Sequence, residues 1–256
     1  MFSMEDRVRY AKPQLMEVIC QLRFPTILSI GAKDPADFQE QIRAKFPRYI
    51  RKTENPVKIV NGKPEPQPPV INHEFLAADG RWKVNLTNNF LALATPAYTT
   101  WEEFANQLDA VLVHFIEIYR PAFFERIGLR YINAFSRNAL GLEETPFREL
   151  IQPAYLGLMA EEDVNERAFS QVHQNAELAL PGGCRLKVSC GPGMVKRGNV
   201  EEKEIRFILD NDIFMLGNIE MKHSAGALNT VHTNADRVFR GAITELLHNA
   251  MEPQEL

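Results

Sequence analysis

The 256-residue chain holds only three cysteines, Cys20, Cys184 and Cys190, and no CxxC spacing. An odd, unclustered count argues against both a disulfide framework and a cysteine zinc site. Cys20 shares strand parity with Val18, Leu22 and Phe24, and Cys184 and Cys190 share it with Leu186 and Val188. All three therefore read as small core residues. No apolar run approaches the roughly 20 residues of a membrane-spanning helix. The opening stretch MFSMEDRVRYAKPQ has no apolar segment of signal-peptide type, so a cytoplasmic protein without a membrane partner is expected. A single dominant charge is also lacking. The balance of 29 Lys+Arg against 33 Asp+Glu gives a formal charge of −4, with no whole-molecule attraction for nucleic acid or acidic membranes. GxSxG, HExxH and dinucleotide fingerprints are missing too. No cofactor is expected, and catalysis has no support in the sequence.

What is present is an ordinary globular balance, 45% apolar and 24% charged, enough to bury the core of a single compact domain over 1–256. Strand alternation predicts Leu15–Phe24, followed by a short helix on which Phe38, Ile42 and Phe46 recur every fourth residue. Residues 51–69 hold five prolines and read as a surface excursion. Strands are predicted over Val70–Ala78, Arg81–Thr87 and Phe90–Thr95, joined by Asp79-Gly80 and Asn88-Asn89 turns. Thr99 with Glu102 reads as a capping box opening a helix from about Trp101 to Tyr119. Phe123–Phe135 then forms a central strand. Beyond it come a short helix from Thr145-Pro146, strands over Ala168–Leu180 and Cys184–Cys190, and an open loop over Gly191–Lys203. A strand over Glu204–Leu209, a turn at Asp210-Asn211-Asp212 and a last helix from about Thr233 complete the reading.

Both halves, 10–120 and 121–252, thus run strand, short helix, antiparallel strands, long helix. Gln21-Leu22-Arg23-Phe24 is echoed by Gly128-Leu129-Arg130-Tyr131. The expected fold is α+β: two pseudo-repeated halves forming a curved antiparallel sheet with helices packed on one face.

The opposite face of that sheet carries the main functional candidates. Arg126 and Arg130 share a face of the central strand, and a buried unpaired guanidinium is costly, so both need water or an anionic partner. Parity adds Arg23, Lys83, Arg185 and Lys187 around them. The face is either a solvated surface or a binding surface for an anionic ligand, nucleic acid or acidic protein partner. Missing exposed aromatics weigh against single-strand nucleic acid binding. A homo-oligomer interface is a further option. Three smaller constellations each have a plainer reading. Asp210 and Asp212 could hold Mg²⁺ or form a turn. Gly191-Pro192-Gly193 with Lys196, Arg197 and Gly198 could cradle phosphate or form a hairpin loop. His114 and Glu117 stand three apart on a helix, a spacing usable by a metal, with no second such pair.

The segments KPQLMEVICQLRF (12–24), YTTWEEF (98–104) and ERIGLRYIN (125–133), with D-x-D at 210–212, resemble an uncharacterised bacterial and archaeal family that is sporadically distributed among genomes. That resemblance implies an accessory, horizontally moved gene near defence or toxin–antitoxin functions, and it brings no catalytic residues. The combined expectation is a non-enzymatic binding or regulatory module. The alternative is a metal-dependent phosphoryl-transfer or nuclease-like enzyme using Asp210 and Asp212.

Overall fold

The computed structural model describes Ser3 and residues 7–55, 57–60, 63–197 and 200–255. In chain order the first strands are β1 (Val8–Tyr10) and β2 (Leu15–Arg23), followed by helices α1 (Leu28–Ala32) and α2 (Ala36–Ile42). Six strands follow: β3 (Arg48–Glu54), β4 (Val57–Val60), β5 (Lys63–Pro66), β6 (Val70–Leu76), β7 (Lys83–Leu86) and β8 (Phe90–Thr95). The long helix α3 (Trp101–Tyr119) leads into β9 (Phe124–Phe135), then α4 (Arg137–Leu140) and α5 (Phe147–Leu150). The remainder comprises β10 (Gln174–Ala179), β11 (Cys184–Arg197), β12 (Val200–Ile219), α6 (Ser224–Arg240), α7 (Glu245–Ala250) and β13 (Pro253–Glu255). The fold is mixed α+β, with a nine-stranded antiparallel sheet in the order β10-β11-β12-β9-β2-β8-β7-β6-β3. Hairpin β4–β5 and the pair β1–β13 form separate two-stranded sheets. No helix among the described residues is long and apolar enough to cross a membrane.

The chain divides into two compact units. Unit 1 comprises 1–18, 128–215 and 226–256, and unit 2 comprises 19–127 and 216–225. In unit 2 the core gathers on α3, whose buried stripe is Trp101, Phe104, Leu108, Val111, Leu112 and Phe115. Phe115 meets Phe24 of the loop after β2 at 4.8 Å between ring centroids, and Phe104 meets Trp82 at 5.7 Å. Each fully buried side chain of this size contributes about 1.5–3 kcal/mol. The helix starts at Thr100, whose side chain accepts the Glu103 N–H, while the Thr99 hydroxyl donates to the Glu103 carboxylate. The cap thus lies one residue beyond the expected Thr99–Glu102 box, because Thr100 rather than Thr99 leaves the helical conformation. It ends at Arg120, left-handed at φ 47°, and Pro121 follows, which disfavours a helical residue before it.

In unit 1, α6 supplies buried Ala227, Leu228, Val231, Ala235 and Val238 at helical spacing. This helix starts nine residues before the expected Thr233. The earlier turns carry Gly226, Asn229 and Thr230, whose low apolarity hides the stripe. Phe239 stacks on Phe135 at 6.2 Å and Phe147 packs on Phe207 at 5.6 Å. Arg137 lies over the Phe147 ring at 4.1 Å and pairs with Glu166 at 2.6 Å. The turn into β11 needs glycine at Gly182: its φ is +73°, and a Cβ there would stand 2.7 Å from Thr230 Cγ2.

Two stretches expected as loops are strand. Gly191, Pro192 and Gly193 pair with Ile208, Phe207 and Arg206, so they extend β11 rather than cradle a phosphate. β10 pairs only as far as Cys190, and a proline on the strand edge beyond it loses no ladder bond. Gly198 lies outside the described residues. Likewise Asp210-Asn211-Asp212 sits within the long strand β12, paired with Ser189, Val188 and Lys187. The proline-rich excursion takes in the second half of β3, which pairs along its length with β6, and the β4–β5 hairpin.

Candidate functional site

The candidate site is the sheet face opposite the buried apolar parity, and it differs in character between the two units. In unit 1, β9 presents Arg130 on this face, while Leu129 and Asn133 point into the core. On β12, Asp210 and Asp212 alternate with buried Leu209, Asn211 and Ile213. Arg130 Nε and Nη2 reach Asp210 Oδ1 and Oδ2 at 2.7 and 2.5 Å, a fork-on-fork pair. The hydrogen bond to Asp210 raises the guanidinium pKa further, with Asp212 and Glu17 adding to it. Both Asp210 oxygens are thereby engaged. Among the described residues no group of three or more His, Cys, Asp or Glu is gathered as a metal site would require. His114 and Glu117, on α3 in unit 2, form a lone helical pair at 3.6 Å.

The remaining unit 1 cations follow the same rule. Arg185 pairs with Glu177 at 2.8 Å. Arg206 pairs with Glu202 and, at 3.1 Å, with Glu204. Burial alone would raise the Glu204 carboxyl, but the Asn138 N–H, the Ser136 hydroxyl and Arg206 outweigh it and hold the pKa low. Lys187 stands opposite Asp212 and is exposed. The arginines of this half of the face are thus each held by a carboxylate, and Lys187 alone of its named cations has no ion pair among the described residues.

Unit 2 presents Gln21, Arg23, Lys83, Asn85 and Arg126. Arg126 Nη1 donates to Gln21 Oε1 at 3.4 Å. Arg23 and Lys83 make no ion pair among the described residues, and Arg23 is exposed. Asn85 donates to Asn72, which donates to Glu54, and Lys52 pairs with Glu74 at 2.7 Å. Asn72, Glu74 and Thr87 are at most 5% exposed, so this part of the face is closed where sequence parity placed it open. β8 lies between β2 and β7 in the sheet, and it contributes only the methyl groups of Ala92 and Ala94 here. Both alanines are buried, at 7% and 4% exposed. Phe90 stands at the end of the same strand, half-buried, an aromatic on a face expected to lack them.

A second polar cluster in unit 2 had no sequence signature. Asp34, Tyr49, Arg51 and His73 come together at a cavity although they lie on three separate elements or loops. Only the alternation of β3 against β6 could have indicated it, since Arg51 faces His73 across that pair. The excursion reading of 51–69 concealed β3.

No family model matches the chain, and no curated protein matches its sequence.

Proposed function

We propose that this protein is a non-enzymatic binding module whose unit 2 sheet face receives an acidic segment of a protein partner. One observation carries the reading: Arg23 and Lys83, on the strands either side of β8, have no carboxylate partner among the described residues, whereas the unit 1 arginines are held by Glu and Asp. Arg126, tethered to Gln21, supplies a third cation beside them. An extended acidic segment laid along the sheet matches that charge. The anchors are therefore Arg23, Lys83 and Arg126, with Arg130 and Arg185 reserved for the fold. The strand echo of 21–24 and 128–131 fits descent of the halves from a duplication, and the family resemblance fits an accessory role beside defence or toxin–antitoxin genes.

The test is fluorescence anisotropy with a labelled poly-glutamate peptide and, separately, a single-stranded oligonucleotide. Saturable peptide binding that weakens with salt, and falls at least about tenfold in the Arg23→Gln/Lys83→Gln double variant, is expected. Arg185→Gln should change it less than about twofold. Peptide binding indifferent to the double variant overturns the proposal, and preference for the oligonucleotide overturns the partner class.

A further inference from the structure

Beside the last turn of α1, unit 2 carries a pocket of about 360 Å³, open to solvent along the exposed Lys33, Asp34 and Arg51 and lined as well by Gly31, Ala32, Ile71 and His73. That volume lies within the range of small-molecule sites. It is separate from the sheet face discussed above, since it is reached from the parity that carries Tyr49, Arg51 and His73.

The lining is chemically mixed in a specific way. Arg51 Nε meets Asp34 Oδ1 at 3.3 Å, and the Tyr49 hydroxyl lies 3.4 Å from the same oxygen. The Lys33 ammonium has no ion pair among the described residues and is exposed beside them. A plain anion would confront Asp34, and a plain cation would confront Arg51 and Lys33. A ligand carrying both signs satisfies all three.

We propose that this cavity binds a small zwitterion of amino-acid size, with Asp34 taking its ammonium group and Arg51 and Lys33 taking its carboxylate.

His73 and Tyr49 control how open Asp34 is. His73 is 1% exposed, with Nε2 3.3 Å from the Ile30 carbonyl and Nδ1 2.9 Å from the Tyr49 hydroxyl. A carbonyl only accepts, so the neutral ring carries its proton on Nε2 and leaves Nδ1 bare. Tyr49 must then donate to Nδ1, and its one proton is not available to Asp34. Protonating the ring reverses this: Nδ1–H donates to the phenol oxygen, and the phenol proton turns to Asp34 Oδ1. The ammonium site is thus fully open only while His73 is neutral. Burial holds the His73 pKa below its ordinary value, assisted by Arg51 and opposed by the Ile30 hydrogen bond and Asp34, so the open form prevails at neutral pH.

The experiment is an NMR titration of the full chain, following the His73 imidazole against pools of the standard amino acids. Acetate and methylammonium serve as half-ligands. At least one pool should shift the signal saturably, with both half-ligands bound more than about tenfold more weakly. Arg51→Gln should abolish the shift, and Asp34→Asn should weaken it about tenfold, with the His232 signal of unit 1 reporting an intact fold. Affinity should fall as pH drops through the His73 pKa, and Tyr49→Phe should remove that dependence. No shift from any pool, acetate binding as tightly as the amino acid, or a shift unmoved by Arg51→Gln would each overturn the proposal. Since Arg23, Lys83 and Arg126 take no part, these results are independent of the sheet-face reading.

Discussion

Each unit buries a histidine against a tyrosine, and the two pairs have nearly the same geometry. In unit 1, the Tyr131 hydroxyl lies 3.0 Å from His232 Nδ1; in unit 2, Tyr49 lies 2.9 Å from His73 Nδ1. What differs is the far nitrogen. His232 Nε2 faces the Asp236 carboxylate at 3.5 Å, but Arg7 already holds that carboxylate at 3.1 Å. Its charge is balanced, so burial, with Arg7 nearby, pushes His232 down to about 3. His73 faces a neutral carbonyl and lines a cavity. The same donor–acceptor pair is thus locked in one unit and placed beside an open polar pocket in the other. Identical local chemistry acquires a ligand-dependent role only through the groups around it.

The largest way to separate the pairs is acid. A histidine whose folded pKa lies below its unfolded value of about 6.5 leaves the unfolded chain binding more protons between those values. Stability is full above pH 6.5 and is lost as pH falls towards the folded pKa. His232 should remove roughly 3 kcal/mol between pH 6.5 and 4. Urea unfolding across that range should show a clearly flatter profile in His232→Gln, whose amide can still accept from Tyr131. A profile as steep as that of the unmodified protein would mean that His232 is not the acid-sensitive group. A smaller effect is expected from removing each phenol. Tyr49→Phe and Tyr131→Phe both leave a buried ring nitrogen without its donor, so each should lower stability by about 1–2 kcal/mol in urea unfolding at pH 7. A large inequality between the two would break the equivalence of the pairs. The smallest effect concerns the outer faces. Arg130 is 45% exposed, so Asp210→Asn should cost about 1 kcal/mol or less. It should also release a guanidinium and make poly-glutamate binding tighter, bringing unit 1 nearer to unit 2; unchanged binding would show that ion pairing is not what distinguishes the faces.

The sequence read well wherever one element carried its own signal. α3 was recoverable to within a residue at its cap because an apolar stripe and an N-terminal threonine agree on a helix over about Trp101–Tyr119. β2 and β7 alternate well, and Arg126 and Arg130, four residues apart on β9, share a strand face. It read poorly where tertiary pairing overrides local preference. Asp210-Asn211-Asp212 has turn chemistry, yet β9 and β11 flank it in the sheet and keep it extended, with Asn211 pointing into the core. Pro192 and its two glycines are held in strand by β12. Neither the Arg130–Asp210 fork nor the Tyr49–His73 pair has a spacing in the sequence, because partners 80 and 24 residues apart meet only after the sheet forms. Residue type and parity therefore predict which cations share a strand face, but not which of them are already paired.

The buried cysteines have a practical consequence. Burial raises Cys20 to about 12 and Cys190 to about 11, and raises Cys184 as well, so the folded thiols are both shielded and un-ionised. Cys20 belongs to unit 2, while Cys184 and Cys190 belong to unit 1. Each unit thus contains its own silent chemical clock. A thiol reagent applied under native conditions is consumed only when the surrounding structure opens, and the position of the tag says which unit opened. The rates of the two tags would report, without any added probe, whether ordering a ligand in one unit quiets the breathing of that unit alone or of both.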